Sequence, residues 1–568
     1  MTDTRTSDQP ISDEADRAFH AAIGRLTSGL SPTALGIAWY DWAMHLVGAP
    51  SKQAELGTLA TRSTTELTAS AIECAMGKGE RTSLSTDNRF NAPEWQAYPF
   101  NFLAESFQHA ENWWNVATAG THGVDPHNAQ VVNFAARQWL DMISPSNFLA
   151  TNPVVLERTR TEGGANLERG IRNWLDDLQH LLSGHAERSE DFVVGETVAT
   201  TQGEVIYRNR LIELIRYQPV TEGVHSEPIL IVPAWIMKYY ILDLSPANSL
   251  VQFLLERGFE VFMISWKNPD KDDADLGMDD YVNLGVRAAV EEITRRVPDH
   301  KIHAAGYCLG GTLLSIAAST FARDGYDRLA TLTLLAAQVD FTEAGEITLF
   351  INESQVSFLE DIMAEQGYLA ADQMSGAFQM LRSNDLIWSR VIRHYLLGER
   401  TQMNDLMAWN ADSTRMPARM HSEYLRRLFL DNALAVGQYE VGGRLISLED
   451  IVLDTFVVGT EADHVSPWKS VWKISRLIDG NVTFLLTNGG HNAGILSEPG
   501  HRHRHFRVSE VKDTHQEAVD WQSATPETEG SWWPVWSDWM AARSSGQRTP
   551  EEVTDAVCAA PGTYVHLT

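Results

Sequence analysis

Six residues near the middle of the chain, Gly306-Tyr307-Cys308-Leu309-Gly310-Gly311, limit the fold more than any other stretch. The residues before them, Lys301 to Ala305, read as a short buried strand, and Thr312 to Ala322 reads as an apolar helix rich in small residues. A strand that ends in a sharp turn at a nucleophile and at once becomes a helix is a nucleophile elbow. Most such turns carry serine. Cysteine in its place points to covalent acyl transfer. The flanking glycines let the backbone turn tightly, so that the thiol projects over a sheet and the Leu309 N–H faces a developing oxyanion. A lone G-x-C-x-G is weak, because a small cysteine is more commonly a buried structural residue.

Two further residues strengthen the reading. In an open α/β sheet the site gathers at the carboxyl ends of the strands. Thr455 to Gly459 reads as a strand, and the loop after it carries Asp463 at the correct end, whereas Asp454 lies at the wrong one. Val482 to Leu486 reads as another strand, followed by the glycine-rich Asn488-Gly489-Gly490-His491-Asn492. Cysteine, aspartate, histidine is the α/β-hydrolase chain order of nucleophile, acid and base. In that order His491 takes the thiol proton and Asp463 holds its tautomer. Taken singly, Asp463 is also a candidate helix cap and His491 a loop hydrogen-bonder.

With these motifs placed, the chain resembles the single-subunit polyhydroxyalkanoate synthases over nearly its whole length. The family's cysteine box is Gly306 to Gly311, its Asp-His-x-x-Pro-Trp segment is Asp463 to Trp468, and its Gly-His-x-Ala-Gly segment is Gly490 to Gly494. Lys238 to Leu244 and Ser265 to Pro269 resemble family stretches that follow two sheet strands. Asp87-Asn88-Arg89-Phe90 with Trp95, and Ser144 to Pro153, are similar to hallmarks of its extra amino-terminal domain. Gly530-Ser531-Trp532-Trp533-Pro534 and Ala560 to Val565 fit its carboxyl end. One departure is Met237, where many members carry Asn.

The resemblance implies an acyltransferase that polymerises (R)-3-hydroxyacyl-coenzyme A into polyhydroxyalkanoate through an acyl group on Cys308, with coenzyme A released. No cofactor is implied, since coenzyme A enters as part of the substrate and leaves as product. Passing an acyl group from one thioester to another keeps it activated. The oxyanion hole would combine the Leu309 N–H with a backbone N–H at Trp235 or Ile236. The resemblance also implies a homodimer and contact with the polyester chain at the surface of cytoplasmic polymer inclusions. The same three residues would serve an intracellular polyester depolymerase or thioesterase. A catalytically idle inclusion-coat protein is the remaining alternative, and the intact Cys308, Asp463 and His491 argue against it.

A chain of 568 residues, 43% hydrophobic and 21% charged, is long enough for two domains with a sizeable core. Its 75 acidic against 45 basic residues, a formal charge of −30, argue against a nucleic-acid surface. Cys74, Cys308 and Cys558 are too few for a disulfide framework and fit a reducing compartment. Cys74 and Cys558 read as structural or incidental. The polar start lacks the apolar core of a signal peptide, and no apolar run is long enough to span a bilayer. These features predict a cytoplasmic protein without a transmembrane segment.

The expected organisation is a disordered start over residues 1–17, a helical domain over 18–200 and an α/β-hydrolase catalytic domain over 201–568. Helical spacing in the first part, as with Val131, Phe134, Ala135, Trp139, Met142 and Ile143, supports the helical domain. Its aromatics Phe100, Phe102, Trp113 and Trp114 read as packing residues. The separation of Cys308 from Asp463 exceeds what one or two strand–helix units need, which predicts a helical cap inserted at about 341–432. Arg382, Arg390, Arg393, Arg415, Arg419, Arg426 and Arg427 in that insertion could meet a coenzyme A phosphate, but each reads first as a solvated helix face. The three histidines of His501-Arg502-His503-Arg504-His505 stand at alternate positions and could converge only if the segment is extended, and no metal site is expected there. The tryptophans after Ser531 read as packing at a helix start.

Overall fold

The computed structural model describes residues 9–27, 29–76, 87–183, 191–381 and 383–568. The chain divides into two compact units, one of Leu26–Glu187 with Ser375–Gln402, the other of Met1–Arg25, Arg188–Met374 and Met403–Thr568.

The larger unit is built on a sheet that is eleven-stranded among the described residues. In chain order the strands are β1 (Gly203–Arg208), β2 (Ile212–Tyr217), β3 (Ile229–Val232), β4 (Val261–Trp266), β5 (Ile302–Tyr307) and β6 (Leu329–Leu335). After a long insertion come β7 (Thr455–Thr460), β8 (Val482–Thr487), β9 (His505–Glu510), β10 (Glu527–Glu529) and β11 (Cys558–Ala559). Across the sheet the order is β10-β9-β8-β7-β6-β5-β3-β4-β2-β1-β11. The inner run from β4 to β8 is parallel, and the strands outside it pair antiparallel. Strands β3, β4, β5 and β7 are buried along their whole length, as apolar parallel strands covered on both faces must be. This is the expected α/β-hydrolase architecture.

The strand order fixes where a site can form. Chain direction across the sheet reverses at β3, with β4 on one side and β5 on the other. Loops leaving two such strands diverge and open a crevice at their carboxyl ends. The elbow leaves β5, and the loop from Pro233 to Lys238 leaves β3.

Between β6 and β7 the insertion contributes helices Glu353–Gln366 and Ala418–Tyr424 and a short antiparallel pair, Tyr368–Leu369 with Met416–Pro417. The sequence predicts one cap body over about 341–432; the structure divides it. Ser375–Gln402 groups with the amino-terminal helices because its polar groups are satisfied there. Asn166 Nδ2 donates to Leu396 O (2.8 Å), Asn173 Nδ2 to His394 O (2.9 Å) and Tyr395 O–H to Asp177 (2.8 Å). The start of the chain also differs from expectation. A helix runs from Gln9 to Leu26, where disorder is expected to about residue 17; residues 1–8 lie outside the described residues. This helix packs on Glu353–Gln366 through His20 with Asp361 (2.7 Å) and Arg25 with Glu365 (2.9 Å). It comes so close that a Cβ at Gly24 would lie 2.3 Å from Ile362.

The smaller unit is helical, with helices Pro32–Val47, Pro50–Ala75, Phe100–Thr118, Pro126–Ile143, Pro153–Thr161 and Ala165–Ser183. Ala38, Trp42, Leu56, Ala117 and Val132 form one core cluster, against which Trp113 and Trp114 pack. Phe90, Trp95, Ala104, Phe107 and Leu140 form another, with Phe100 against it. The side chain of Cys74 lies outside the described residues.

Candidate active site

Cys308 sits where β5 ends, with φ 54° and ψ −125°. A non-glycine residue in this region stores about 1–3 kcal/mol of strain. The neighbours hold it there: Cys308 N–H donates to Leu335 O of β6 (2.9 Å), and Cys308 O accepts from Gly311 N–H (2.9 Å) as the helix Leu309–Asp324 begins. Cys308 itself therefore takes the unusual conformation, and the glycines serve close approach. A Cβ on Gly306 would lie 2.4 Å from Gly311 Cα, and one on Gly310 would lie 2.1 Å from Val232 O. The second contact brings the end of β3 against the elbow. Cys308 is nearly buried, at 8% exposure, and the positive end of the helix dipole favours negative charge beside it.

Asp463 follows β7 in a tight loop, its side chain fully enclosed. Thr460 Oγ1 donates to Oδ2 (2.8 Å), and the N–H groups of Val465 and Ser466 donate to Oδ1 (2.8 Å each). Burial alone would raise its pKa; the adjacent His491 and these donors outweigh it and hold the carboxyl below its ordinary value. His491 follows β8 and meets Asp463 Oδ2 through Nδ1 at 2.7 Å. A carboxylate only accepts, so Nδ1 carries the proton and Nε2 is left for the thiol. Burial pulls the imidazole down, but Cys308 and Asp463 together push it well above its ordinary value. The structure thus brings Cys308, Asp463 and His491 together at the carboxyl ends of β5, β7 and β8. Asp454 at the far end of β7 accepts from Asn481 Nδ2 and Arg543 Nε (2.9 and 2.8 Å) and is structural.

The loop after β3 carries the other predicted residues. Trp235 is buried and Ile236 half-buried. Their carbonyls point to the cap: Thr414 Oγ1 donates to Trp235 O (2.6 Å) and Thr414 N–H to Ile236 O (3.1 Å). Among the described residues no backbone carbonyl takes the N–H of Trp235, Ile236 or, at the helix start, Leu309. Met237 bridges Ser413 of the cap. Tyr424, at the end of a cap helix, packs edge-on to Trp235 (ring centroids 6.4 Å) and Phe341 (6.3 Å). Burial and the neighbouring Cys308 push its hydroxyl well above the ordinary value, which puts this cap residue in the electrostatic range of the thiol.

Several contributors were not singled out from sequence. Tyr307 O–H donates to Asn492 Oδ1 (2.5 Å), tying the residue before Cys308 to the residue after His491. Both are adjacent in sequence to a predicted site residue, which is the signal that could have found them. Thr460 lies three residues before Asp463 and carries a weaker signal of the same kind, whereas Thr414, 179 residues from its partner Trp235, carries none.

Of the basic residues named in the insertion, Arg393 is exposed, and the others that are described are engaged within the chain. Arg419 pairs with Glu423, Arg426 with Glu353 and Glu360, and Arg390 with Asp177. Arg415 donates to Pro269 O, and Arg427 to Glu440 O. Arg382 lies outside the described residues. Among the described residues no group of three His, Cys, Asp or Glu side chains is arranged to hold a metal ion, and no helix is long and apolar enough to cross a membrane. Trp532, Trp533 and Trp536 are buried.

Comparison with known proteins adds the following. Residues 86–254 match the family model described as Poly-beta-hydroxybutyrate polymerase (PhaC) N-terminus, residues 10–52 match Poly-beta-hydroxybutyrate polymerase N terminal, and residues 227–498 match the alpha/beta hydrolase fold. The chain is 40% identical over 492 residues to a Poly(3-hydroxyalkanoate) polymerase of Methylorubrum extorquens, covering 85% of this chain and 81% of that protein. It is 34% identical over 534 residues to the Poly(3-hydroxyalkanoate) polymerase subunit PhaC of Cupriavidus necator, covering 92% and 90%.

Proposed function

Because this chain belongs to the poly(3-hydroxyalkanoate) polymerase family, we propose that it polymerises (R)-3-hydroxyacyl groups, delivered as coenzyme A thioesters, through a covalent intermediate on Cys308. The observation that carries the mechanism is the strained cysteine at the end of β5 beside a His491–Asp463 pair at 2.7 Å.

His491 Nε2 takes the Cys308 proton, and the thiolate attacks the thioester carbonyl. The tetrahedral oxyanion is met by the Leu309 N–H and by an N–H of Trp235 or Ile236. The carbonyl re-forms, coenzyme A leaves as thiolate and takes the proton from the imidazolium. The 3-hydroxyl of a second hydroxyacyl group then gives its proton to His491 and attacks the acyl-cysteine. An ester forms, and Cys308 sulfur is released. Asp463 keeps the imidazole oriented and balances its positive charge in both halves. One oxyanion donor is worth roughly 2.7–4 kcal/mol. Water must be kept out, since it would hydrolyse the same intermediate. The near-complete burial of Cys308, with the cap residue Tyr424 within its electrostatic range, supports that exclusion.

The reading extends to a cytoplasmic homodimer at the surface of polymer inclusions. Family membership supports it, as do large apolar side chains exposed on the helical unit, among them Tyr40, Val47, Trp139 and Leu182. Incubation with 3-hydroxybutyryl-coenzyme A tests the activity: coenzyme A should appear together with polymer. Coenzyme A with free hydroxy acid and no polymer would mean a thioesterase on the same triad.

A further inference from the structure

The loop that carries His491 runs on through Ala493, Gly494, Ile495, Leu496 and Ser497, of which the last four are buried. Buried carbonyls need donors. In this loop successive carbonyls are taken by side chains from two later stretches of the chain. Arg504 Nη2 donates to Ala493 O (2.5 Å) and Leu496 O (3.2 Å). Trp532 Nε1 donates to Gly494 O (3.0 Å), Trp533 Nε1 to Ile495 O (2.9 Å), and Ser531 Oγ to Ser497 O. The donors are themselves joined, because Gly530 N–H donates to Arg504 O (2.7 Å).

Arg504 is the unusual member. It is half-buried, yet among the described residues no carboxylate lies within ion-pair distance of it, and Glu498 is the acidic group whose charge reaches it. Its guanidinium is committed to main-chain carbonyls of the His491 loop. It also lies against the loop's hinge: a Cβ on Gly489, whose φ is 104°, would stand 2.9 Å from Arg504 Nη1. On the other side Gly494 abuts Thr460, where a Cβ would meet Cγ2 at 2.4 Å, and Thr460 is a donor to Asp463. The loop is therefore gripped between the residues that hold Asp463 and a frame built from Arg504, Trp532 and Trp533.

We propose that Arg504, with the indole N–H groups of Trp532 and Trp533, is a positioning device that sets His491 in register with Asp463 and Cys308. The groups facing the imidazole are Cys308, Asp463 and the Tyr307 ring; of these only Tyr307 also holds the loop, at Asn492, and the carbonyls beyond Asn492 are left to Arg504 and the two indoles. This inference rests on His491 being the base for Cys308.

The test uses the full-length chain with Arg504→Gln, Arg504→Lys and His491→Ala. For Arg504→Gln, kcat for coenzyme A release from 3-hydroxybutyryl-coenzyme A should fall about tenfold or more, with KM changed by less than about twofold, because a displaced base slows the reaction without touching substrate. The pH profile of Cys308 alkylation by iodoacetamide should move toward that of His491→Ala. Arg504→Lys, which keeps the charge and can reach one carbonyl, should recover part of both. A lowered melting temperature with native kcat and a native alkylation profile would make Arg504 merely structural and overturn the proposal. Should Arg504→Gln not fold, Trp533→Phe removes one indole donor while keeping a ring and is read in the same way. Native turnover in His491→Ala would remove the underlying reading of the base; an inactive His491→Ala beside a native Arg504→Gln would remove only the positioning role.

Discussion

At His491 burial works against the charged imidazole, while Cys308 and Asp463 work for it, and the balance lies well above the ordinary value of 6.5. The pair therefore has opposite pH signatures. His491 contributes stability that is present below the ordinary imidazole value and is lost as pH rises through its raised folded value. Asp463, held below its ordinary 3.8, contributes stability that is present above that value and is lost as pH falls through its lowered one. Cys308→Ala removes an influence that raises the imidazole, so an NMR titration should find His491 titrating lower in that variant than in the native enzyme. An unchanged titration would mean the thiol does not face the ring. Asp463→Asn keeps the shape but loses the charge, and should slow acylation by at least about a hundredfold, measured as the burst of coenzyme A release. Tyr307→Phe breaks the hydrogen bond to Asn492. It should cost about 1 kcal/mol of stability in denaturant titration and, through the loosened His491 loop, lower turnover several-fold.

The elbow was legible because its three parts are local: an apolar strand, a turn sequence and a small-residue helix follow one another without interruption. The reason for its glycines was not. From sequence they read as providers of a sharp turn, yet Cys308 itself holds the positive φ, and Gly310 is small because Val232 O of β3 lies where a Cβ would go. That constraint comes from a strand more than seventy residues earlier and leaves no local trace. Gly310→Ala should accordingly push the elbow away from the loop after β3 and, on the proposed mechanism, displace an oxyanion donor, with kcat falling about a hundredfold or more while Cys308 remains open to alkylation. The amino-terminal motif shows the same limit. Asp87-Asn88-Arg89-Phe90 was legible as a hallmark but not as a device. Arg89 proves to be a hub that pairs with Asp87 and Glu111 (2.6 Å each) and Asp141 (3.0 Å), and it packs over the rings of Phe90 and Phe107. Likewise Asn152 caps the helix Pro153–Thr161 through Val154 and Val155 N–H.

For the whole molecule, helical periodicity separated a helical domain from an α/β domain, but it could not assign the middle of the insertion. Ser375–Gln402 has the same helical pattern as its flanks, and it groups with the amino-terminal helices through partners such as Asn166, Asn173 and Asp177, more than two hundred residues away. Removing residues 1–187 would strip those partners. Limited proteolysis of the truncated chain should cut first within 375–402, before the sheet that carries the triad, and equal resistance of that segment in both forms would contradict the division. The triad itself survives such a cut in sequence, so loss of polymer there would not bear on the chemistry at Cys308. The chemistry is tested most directly by rapid quenching of the full-length enzyme with 3-hydroxybutyryl-coenzyme A, followed by peptide mass mapping. The account predicts a hydroxyacyl group in thioester linkage on Cys308, formed at least as fast as polymer appears. Polymer formed with no acyl group on Cys308, or with the group on another residue, would contradict it.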